Sequence, residues 1–372
     1  MPTKTQGRKS DHIRICLEED VQHRHVTTGF EDIYFVHKAL PEIEQSKINL
    51  KTTVFDHKFS APLIVEAMTG GITEAVKINA AIASAVEELG LGMGVGSQRA
   101  AIEKSSLEKT FSIARKKAPT AFLIANIGGP QLVRGYCVKE AKKAVDMMNA
   151  DALAIHLNAL QEVVQPEGET SFKGVLNKIG EIAQALDVPV IVKETGAGIA
   201  AEEVKQLVSM KVAGIDVAGV GGTSWAAVEY HRAKKKHDEF HQGLGKAFWD
   251  WGIPTAISLI ETLQSGSPTT IASGGIRTGV YVAKALSLGA NLAGMAHPIL
   301  LAATKGPKEV KKTLQVVFEG LRNAMFLVGA ESIPKLKEVP LVITGKTAEW
   351  LKMRGFQPEI YAKRSLRKEE MI

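Results

Sequence analysis

The chain has 372 residues, 45% of them hydrophobic and 23% charged, ordinary globular material with enough apolar content for a large core. Two cysteines, Cys16 and Cys137, exclude a disulfide framework or a thiolate metal cage, and no apolar run is long enough to span a bilayer. Most of the formal charge of +6 sits in RAKKKH at 232–237 and KRSLRKEE at 363–370, which read as solvated surface; neither interleaves aromatics, so neither a nucleic acid nor a membrane is the expected partner.

In chain order, the N-terminus MPTKTQGRKSDH is polar and carries no signal-peptide core, so a cytoplasmic protein is expected. Arg8, Lys9 and His12 place two cations and an imidazole ahead of the first strand. From about residue 62, short β-prone runs alternate with amphipathic segments, the pattern of parallel strands joined by helical crossovers. Strands are predicted at 62–68 (PLIVEAM), 91–96 (LGMGVG), 121–126 (AFLIAN), 151–158 (DALAIHLN), 188–194 (VPVIVKE), 214–219 (GIDVAG), 269–275 (TTIASGG) and 291–296 (NLAGMA). Apolar residues at three- and four-residue spacing predict helices over 78–89, 138–148, 174–186, 201–210 and 280–288. Eight such units are unusual in one open sheet and match a closed (β/α)8 TIM barrel. The expected α/β architecture is an N-terminal extension over 1–60 carrying the basic arm, then the barrel over 61–372, a single domain overall. Its last segment, VITGKTAEWLKMRGF after Leu341, reads as a helix packing back on the barrel.

Barrel enzymes collect their chemistry at the C-terminal strand ends, and here those ends are polar one after another. They read Met68-Thr69-Gly70-Gly71, Ser97-Gln98-Arg99, Asn126, His156-Leu157-Asn158, Lys193-Glu194, Gly221-Gly222-Thr223, Ser273-Gly274-Gly275 and Gly294-Met295-Ala296. One polar end is loop chemistry; a converging set of His, Lys, Asn and Arg is what a pocket requires. SGGIRTG, GMA and GVGGT put small residues where backbone N–H groups reach a phosphate, although a tight turn alone would also ask for Gly274 and Gly275. In HLNALQE, His156 and Asn158 alternate and face the same way, with Gln161 and Glu162 just beyond. Glu162 alone builds no tight metal cage, but Mg2+ takes one or two carboxylates plus substrate phosphates and water. Lys193, ending an apolar strand, needs a partner; a Schiff base, a phosphate and a cofactor ring all remain open.

RKSDHI, FVHKALPEI, MTGG, GVGSQRAAIE, HLNxxQE, QPEGE, VKETGxGI, GGTSW, SGGIRTG and GMAxP occur in this order, and the chain resembles the type 2 isopentenyl-diphosphate isomerases from Arg8 to about Gly355. The resemblance implies a (β/α)8 flavoprotein that interconverts isopentenyl and dimethylallyl diphosphate with reduced FMN and Mg2+, NADPH serving as flavin reductant. It implies FMN ligands at Ala67, Met68, Thr69, Ser97, Asn126, Lys193, Thr223, Gly275, Ile276, Arg277, Ala296 and His297. It implies substrate ligands at Arg8, Lys9, Ser97, Gln98, Arg99, His156 and Gln161, with His156 and Gln161 as the catalytic candidates and Glu162 as the Mg2+ ligand. Relatives assemble as homo-tetramers or homo-octamers. Ala159, Ala218 and His297 depart from the family pattern.

Two other functions fit the same elements. An FMN-dependent oxidoreductase of the hydroxy-acid oxidase type would share the phosphate loops, and a non-catalytic barrel binding a phosphorylated ligand would share them without turnover.

Overall fold

The computed structural model describes residues 4–364; residues 365–370 of the KRSLRKEE run lie outside the described residues. Eight short parallel strands close into a barrel: β1 Leu63–Val65, β2 Gly92–Gly94, β3 Phe122–Gly128, β4 Ala152–His156, β5 Val190–Lys193, β6 Gly214–Asp216, β7 Thr270–Ala272 and β8 Leu292–Met295. The ring shuts where β8 pairs with β1, Gly294 standing opposite Ile64. The predicted strands and helices are found, with shorter strands except β3, which runs two residues past its predicted end; the helices at Thr73–Leu89, Val138–Asp146, Val175–Ala185, Ala201–Ser209 and Gly279–Leu288 are the crossovers expected from their spacing.

Strand residues alternate between the barrel interior and the helical layer, as the pleat demands. Ile64, Phe122, Ile124, Ala154, Ile191 and Ile271 fill the interior, while Leu63, Val65, Leu123, Leu153, Ile155 and Val192 belong to the core shared with the helices. The interior is shut at its N-terminal end by a hairpin, Thr52–Val54 paired with His57–Phe59. There Phe55 stacks on Phe122 at 5.8 Å and Phe59 meets the same ring edge-on at 5.6 Å. With that end plugged, the opposite mouth is the side on which a ligand enters.

A helix over Lys4–Glu18 lies at that mouth, and the chain after it is laced to the barrel. His23 N donates to Gly222 O at 3.1 Å, Ser224 N to Val21 O at 2.8 Å and Ala256 N to Thr28 O at 2.9 Å. Two expectations are corrected. The segment at Leu341 opens as a strand, Leu341–Ile343, paired antiparallel with Ile33–Phe35, and the helix begins at Gly345; a three-residue apolar run has no periodicity, and its distant partner decides its state. In RAKKKH, Lys234 to His237 are exposed as expected, but Arg232 is 2% exposed. It lies three residues from Glu229 on the helix Trp225–Lys235, so both turn inward, and Arg232 pairs with Glu229 at 2.7 Å and with Glu167.

Phe122 carries both the hairpin plug and the lowest layer of the barrel interior. Phe122→Ala is expected to lower stability by about 3–5 kcal/mol in urea unfolding; a loss under about 1 kcal/mol would show that the plug is not tightly packed.

Candidate active site

A cavity of about 260 Å³ opens at the mouth. It is lined from the barrel by Ala67, Met68, Thr69, Ser97, Arg99, Asn126, His156, Gln161, Glu162, Lys193, Thr223, Gly275, Ile276, Arg277, Ala296 and His297, and from above by Arg8 and Lys9. The N-terminal helix contributes residues 8, 9, 12, 13 and 16, one face at helical spacing. Gln98 is the exception among the predicted residues. It is fully buried, its Nε2 donates to Ala144 O at 2.8 Å and its Oε1 accepts from Asn126 N at 2.8 Å. Its amide thus ties the β2 and β3 ends together inside the wall, and its geometry does not support contact with a substrate.

Three cations gather on one side. Lys9 Nζ donates to Gly70 O at 2.9 Å and Ser97 O at 2.5 Å; burial first, then the charges of Arg8 and Arg99, lower its pKa to about 7. Arg99 bridges Glu103 and Glu169, each at 2.9 Å, and Arg8 reaches Gln165 Oε1 at 3.4 Å. Glu169 also accepts from Gln131 at 2.8 Å and Arg134 at 3.0 Å. Two guanidinium groups and an ammonium whose own charge is suppressed by burial and, second, by their proximity form an anion site.

Beside it stand the residues of HLNALQE, held by a network that the sequence reading did not find. Glu162 accepts from Asn158 Nδ2 at 2.8 Å, Gln165 Nε2 at 2.5 Å and the backbone N of Glu169 at 2.6 Å. Asn158 Oδ1 is buried without a partner, so this amide oxygen and the Glu162 carboxylate form a pair of hard oxygen donors suited to Mg2+. Among the described residues no group of three or more His, Cys, Asp or Glu is placed to hold a metal, which leaves the other ligands to substrate and water. Gln161 is fixed at both ends: Oε1 accepts from Asn158 at 3.2 Å and Nε2 donates to Glu229 Oε1 at 3.2 Å. Burial pushes the Glu229 carboxyl up, but His12 at 2.8 Å and Arg232 outweigh it and bring it down to about 2. His156 donates through Nδ1 to Asn126 Oδ1 at 2.7 Å, since an amide oxygen can only accept. Burial, then the charges of Lys193 and Lys9, lower its pKa to about 3, so the imidazole is neutral and its Nε2 is an acceptor.

The rim and floor complete the site. Gly274 and Gly275 take positive φ, 99° and 68°, and a Cβ on either would stand within 2.5 Å of Gly219 or Gly221 backbone atoms. The glycines therefore let the rim loops after β6 and β7 back onto each other. His297 Nε2 meets Cys16 O at 2.8 Å, pinning the N-terminal helix to the first turn of the helix His297–Lys305. On the floor, Lys193 donates to Glu194 O at 2.7 Å and faces Glu66 and Asp216 at 3.8 and 3.6 Å. Both acids were visible in PLIVEAM and GIDVAG as carboxylates inside apolar strands, a pattern that asks for a buried partner. Small residues on the rim, a helix N-terminus, apolar Ala67, Met68 and Ile276 and a buried cation form a donor set that fits a phosphorylated aromatic cofactor.

These features define a ligand-binding (β/α)8 barrel, and residues 3–148 and 137–342 match the family described as FMN-dependent dehydrogenase. Solved mandelate oxidase structures share the fold: one has a TM-score of 0.62 at 16% identity, covering 92% of this chain and 99% of that one. A second has a TM-score of 0.59 at 17% identity, covering 91% and 97%. An isopentenyl-diphosphate delta-isomerase of Methanothermobacter thermautotrophicus is 49% identical over 358 residues, 96% of this chain and 99% of its own. One of Pyrococcus furiosus is 48% identical over 371 residues, 98% and 93%. The chain belongs to the isopentenyl-diphosphate delta-isomerase family, within the FMN-dependent class.

An anion placed among Arg8, Lys9 and Arg99 raises the Lys9 pKa from about 7 toward its ordinary value. At pH 8 the free protein holds Lys9 largely neutral and the complex holds it charged, so inorganic pyrophosphate is expected to bind with proton uptake. Calorimetry in buffers of different ionisation enthalpy reads the protons, and the uptake is expected to vanish in Lys9→Met. Equal uptake in both proteins would contradict the assignment.

Proposed function

We propose that the chain interconverts isopentenyl and dimethylallyl diphosphate by a 1,3-proton shift, with reduced FMN and Mg2+ bound in the mouth cavity and NADPH as the flavin's reductant. The observation that carries this reading is the pairing, in one cavity, of the Arg8–Lys9–Arg99 anion site with a small-residue rim and a buried Lys193. An assembly of four or eight copies in the cytoplasm belongs to the same proposal.

Reduced FMN, when bound, supplies an electron-rich ring that can give and take a proton at the alkene and stabilise the positive charge that develops there. The chain's residues supply the rest. Arg8, Lys9 and Arg99 fix the diphosphate and so orient a hydrocarbon end that offers no polar handle. Asn158 Oδ1 and Glu162 are the oxygens offered to Mg2+, which would share the diphosphate's charge. Thr223, the residues 275–277 and Ala296-His297 line the rim where the cofactor's phosphate would sit, and Lys193 the floor beneath its ring. Ile13 and Leu300 add apolar wall and help exclude water from the reacting carbons.

Within this reading three residues have limited roles. Gln161, an amide held at both ends, positions the substrate and does not abstract a proton. His156 is neutral and can accept at Nε2 but has no charge to lend to the diphosphate. Glu229 reaches the cavity only through Gln161 and His12, and is a positioning residue.

Anaerobic incubation with isopentenyl diphosphate, FMN, Mg2+ and dithionite is expected to give dimethylallyl diphosphate, and the same mixture with oxidised FMN none. Glu162→Gln is expected to lower turnover roughly 10- to 100-fold, with partial recovery at high Mg2+. FMN binding without product, accompanied by flavin reduction on adding 2-hydroxy acids, would favour the oxidoreductase alternative.

A further inference from the structure

Two carboxylates and one ammonium share the apolar floor of the barrel. Glu66 follows β1, Lys193 ends β5 and Asp216 ends β6. Lys193 Nζ lies 3.6 Å from Asp216 Oδ2 and 3.8 Å from Glu66 Oε2, and Ser273 Oγ donates to Asp216 Oδ1 at 2.6 Å. Glu66 is 7% exposed, lines the mouth cavity, and its Oε1 is buried with no partner. Gly294 on β8 makes room for it, since a Cβ there would stand 2.0 Å from Glu66 Oε1. Beneath lies a hole of about 10 Å³ walled by Ile64, Ile124, Ile191 and Ile271, at most one water in size, so little solvent reaches the cluster from below.

With both acids ionised the cluster would carry a net negative charge in this setting; with one protonated it is neutral. Glu66 is the protonated member, because burial first, and then the charge of Asp216 and the hydrogen bond to it, raise its pKa to about 8 against the opposing pull of Lys193. From the other elements around it, β4 presents the neutral His156 and β7 the uncharged Ser273, and β8 presents Gly294. The Glu194 carboxylate is turned to the amides of Thr195, Gly196 and Ala197 at 2.6, 2.6 and 2.5 Å.

We propose that Glu66 is a positioning acid for the cofactor: neutral, it leaves Lys193 with Asp216 as its counter-charge and free to serve an electron-rich ring above; ionised, it claims Lys193 and opposes a reduced, anionic ring. The inference rests on FMN as the occupant of the cavity. It makes the preference for reduced over oxidised flavin depend on pH through one residue of the chain.

The test is the midpoint potential of the bound flavin, measured anaerobically against a redox dye between pH 6 and 9.5 in the wild-type protein and in Glu66→Gln. Dithionite supplies the two electrons and solvent the protons. At pH 6 the two proteins are expected to show the same ratio of reduced to oxidised flavin affinity. By pH 9.5 the wild-type ratio is expected to fall below that of Glu66→Gln by roughly tenfold for each unit by which reduction shifts the acid's pKa. Coincident curves at every pH would overturn the inference and leave the flavin reading intact, whereas a wild-type protein that binds no flavin would overturn both. If Glu66→Gln does not fold, Glu66→Asp serves: it retains the acid and is expected to retain a bend in the potential with its midpoint moved, and a potential parallel to that of free flavin would again overturn the inference.

Discussion

Closure of eight parallel strands is the constraint on which everything else depends. Because the strands are parallel, their C-terminal ends all emerge at one mouth, and because the Phe55–Phe59–Phe122 plug shuts the other end, the polar groups there have one common space to face. Residues far apart in sequence, such as Ser97, His156, Lys193 and Gly275, thereby become neighbours around a single cavity. The N-terminal helix completes the enclosure. Its Lys9 and His12 reach down to Gly70, Ser97 and Glu229, and His297, at the end of the neighbouring strand β8, holds Cys16.

The charges at that mouth divide by how fully they are paired. Glu229 has His12 and Arg232 as close partners and is held strongly ionised at the centre of a scaffold. Lys9 has neutral carbonyls and two neighbouring cations, so its charge is suppressed until an anion arrives. Burial acts on both, and what differs is the sign of the neighbours. The same contrast in pairing recurs elsewhere: Arg115 is enclosed by the carbonyls of Ala118, Ala121 and Asn149 and by Asp151, while Asn158 Oδ1 and Glu66 Oε1 are buried without partners.

Much of this was legible in the sequence. Apolar strands ending in polar residues, separated by amphipathic helices, fixed the barrel's order, and each of the eight ends sends residues to the cavity, although Gln98 and Glu194 turn away from it. Gln98 misleads because its neighbours Ser97 and Arg99 do line the site, and only the third dimension shows its amide entering the wall. The Leu341–Ile343 strand was illegible because its partner lies some three hundred residues earlier, at Ile33–Phe35. Arg232 was hidden in a run of lysines, where the decisive fact is a carboxylate one turn back on the same helix and a second on another loop. Glu66 and Asp216 were legible as anomalies, charges inside apolar strands, though not as a pair sharing one ammonium.

The account's central claim is that one cavity holds the cofactor's phosphate on the small-residue rim and the substrate's diphosphate among Arg8, Lys9 and Arg99. A crystal structure of the protein with FMN and inorganic pyrophosphate tests it most directly. The account predicts the FMN phosphate against Thr223, residues 275–277 and Ala296-His297, and pyrophosphate within hydrogen-bond distance of all three cations with the N-terminal helix in place. Pyrophosphate bound outside the cavity, or an N-terminal helix lifted away from the mouth with both ligands bound, would contradict it.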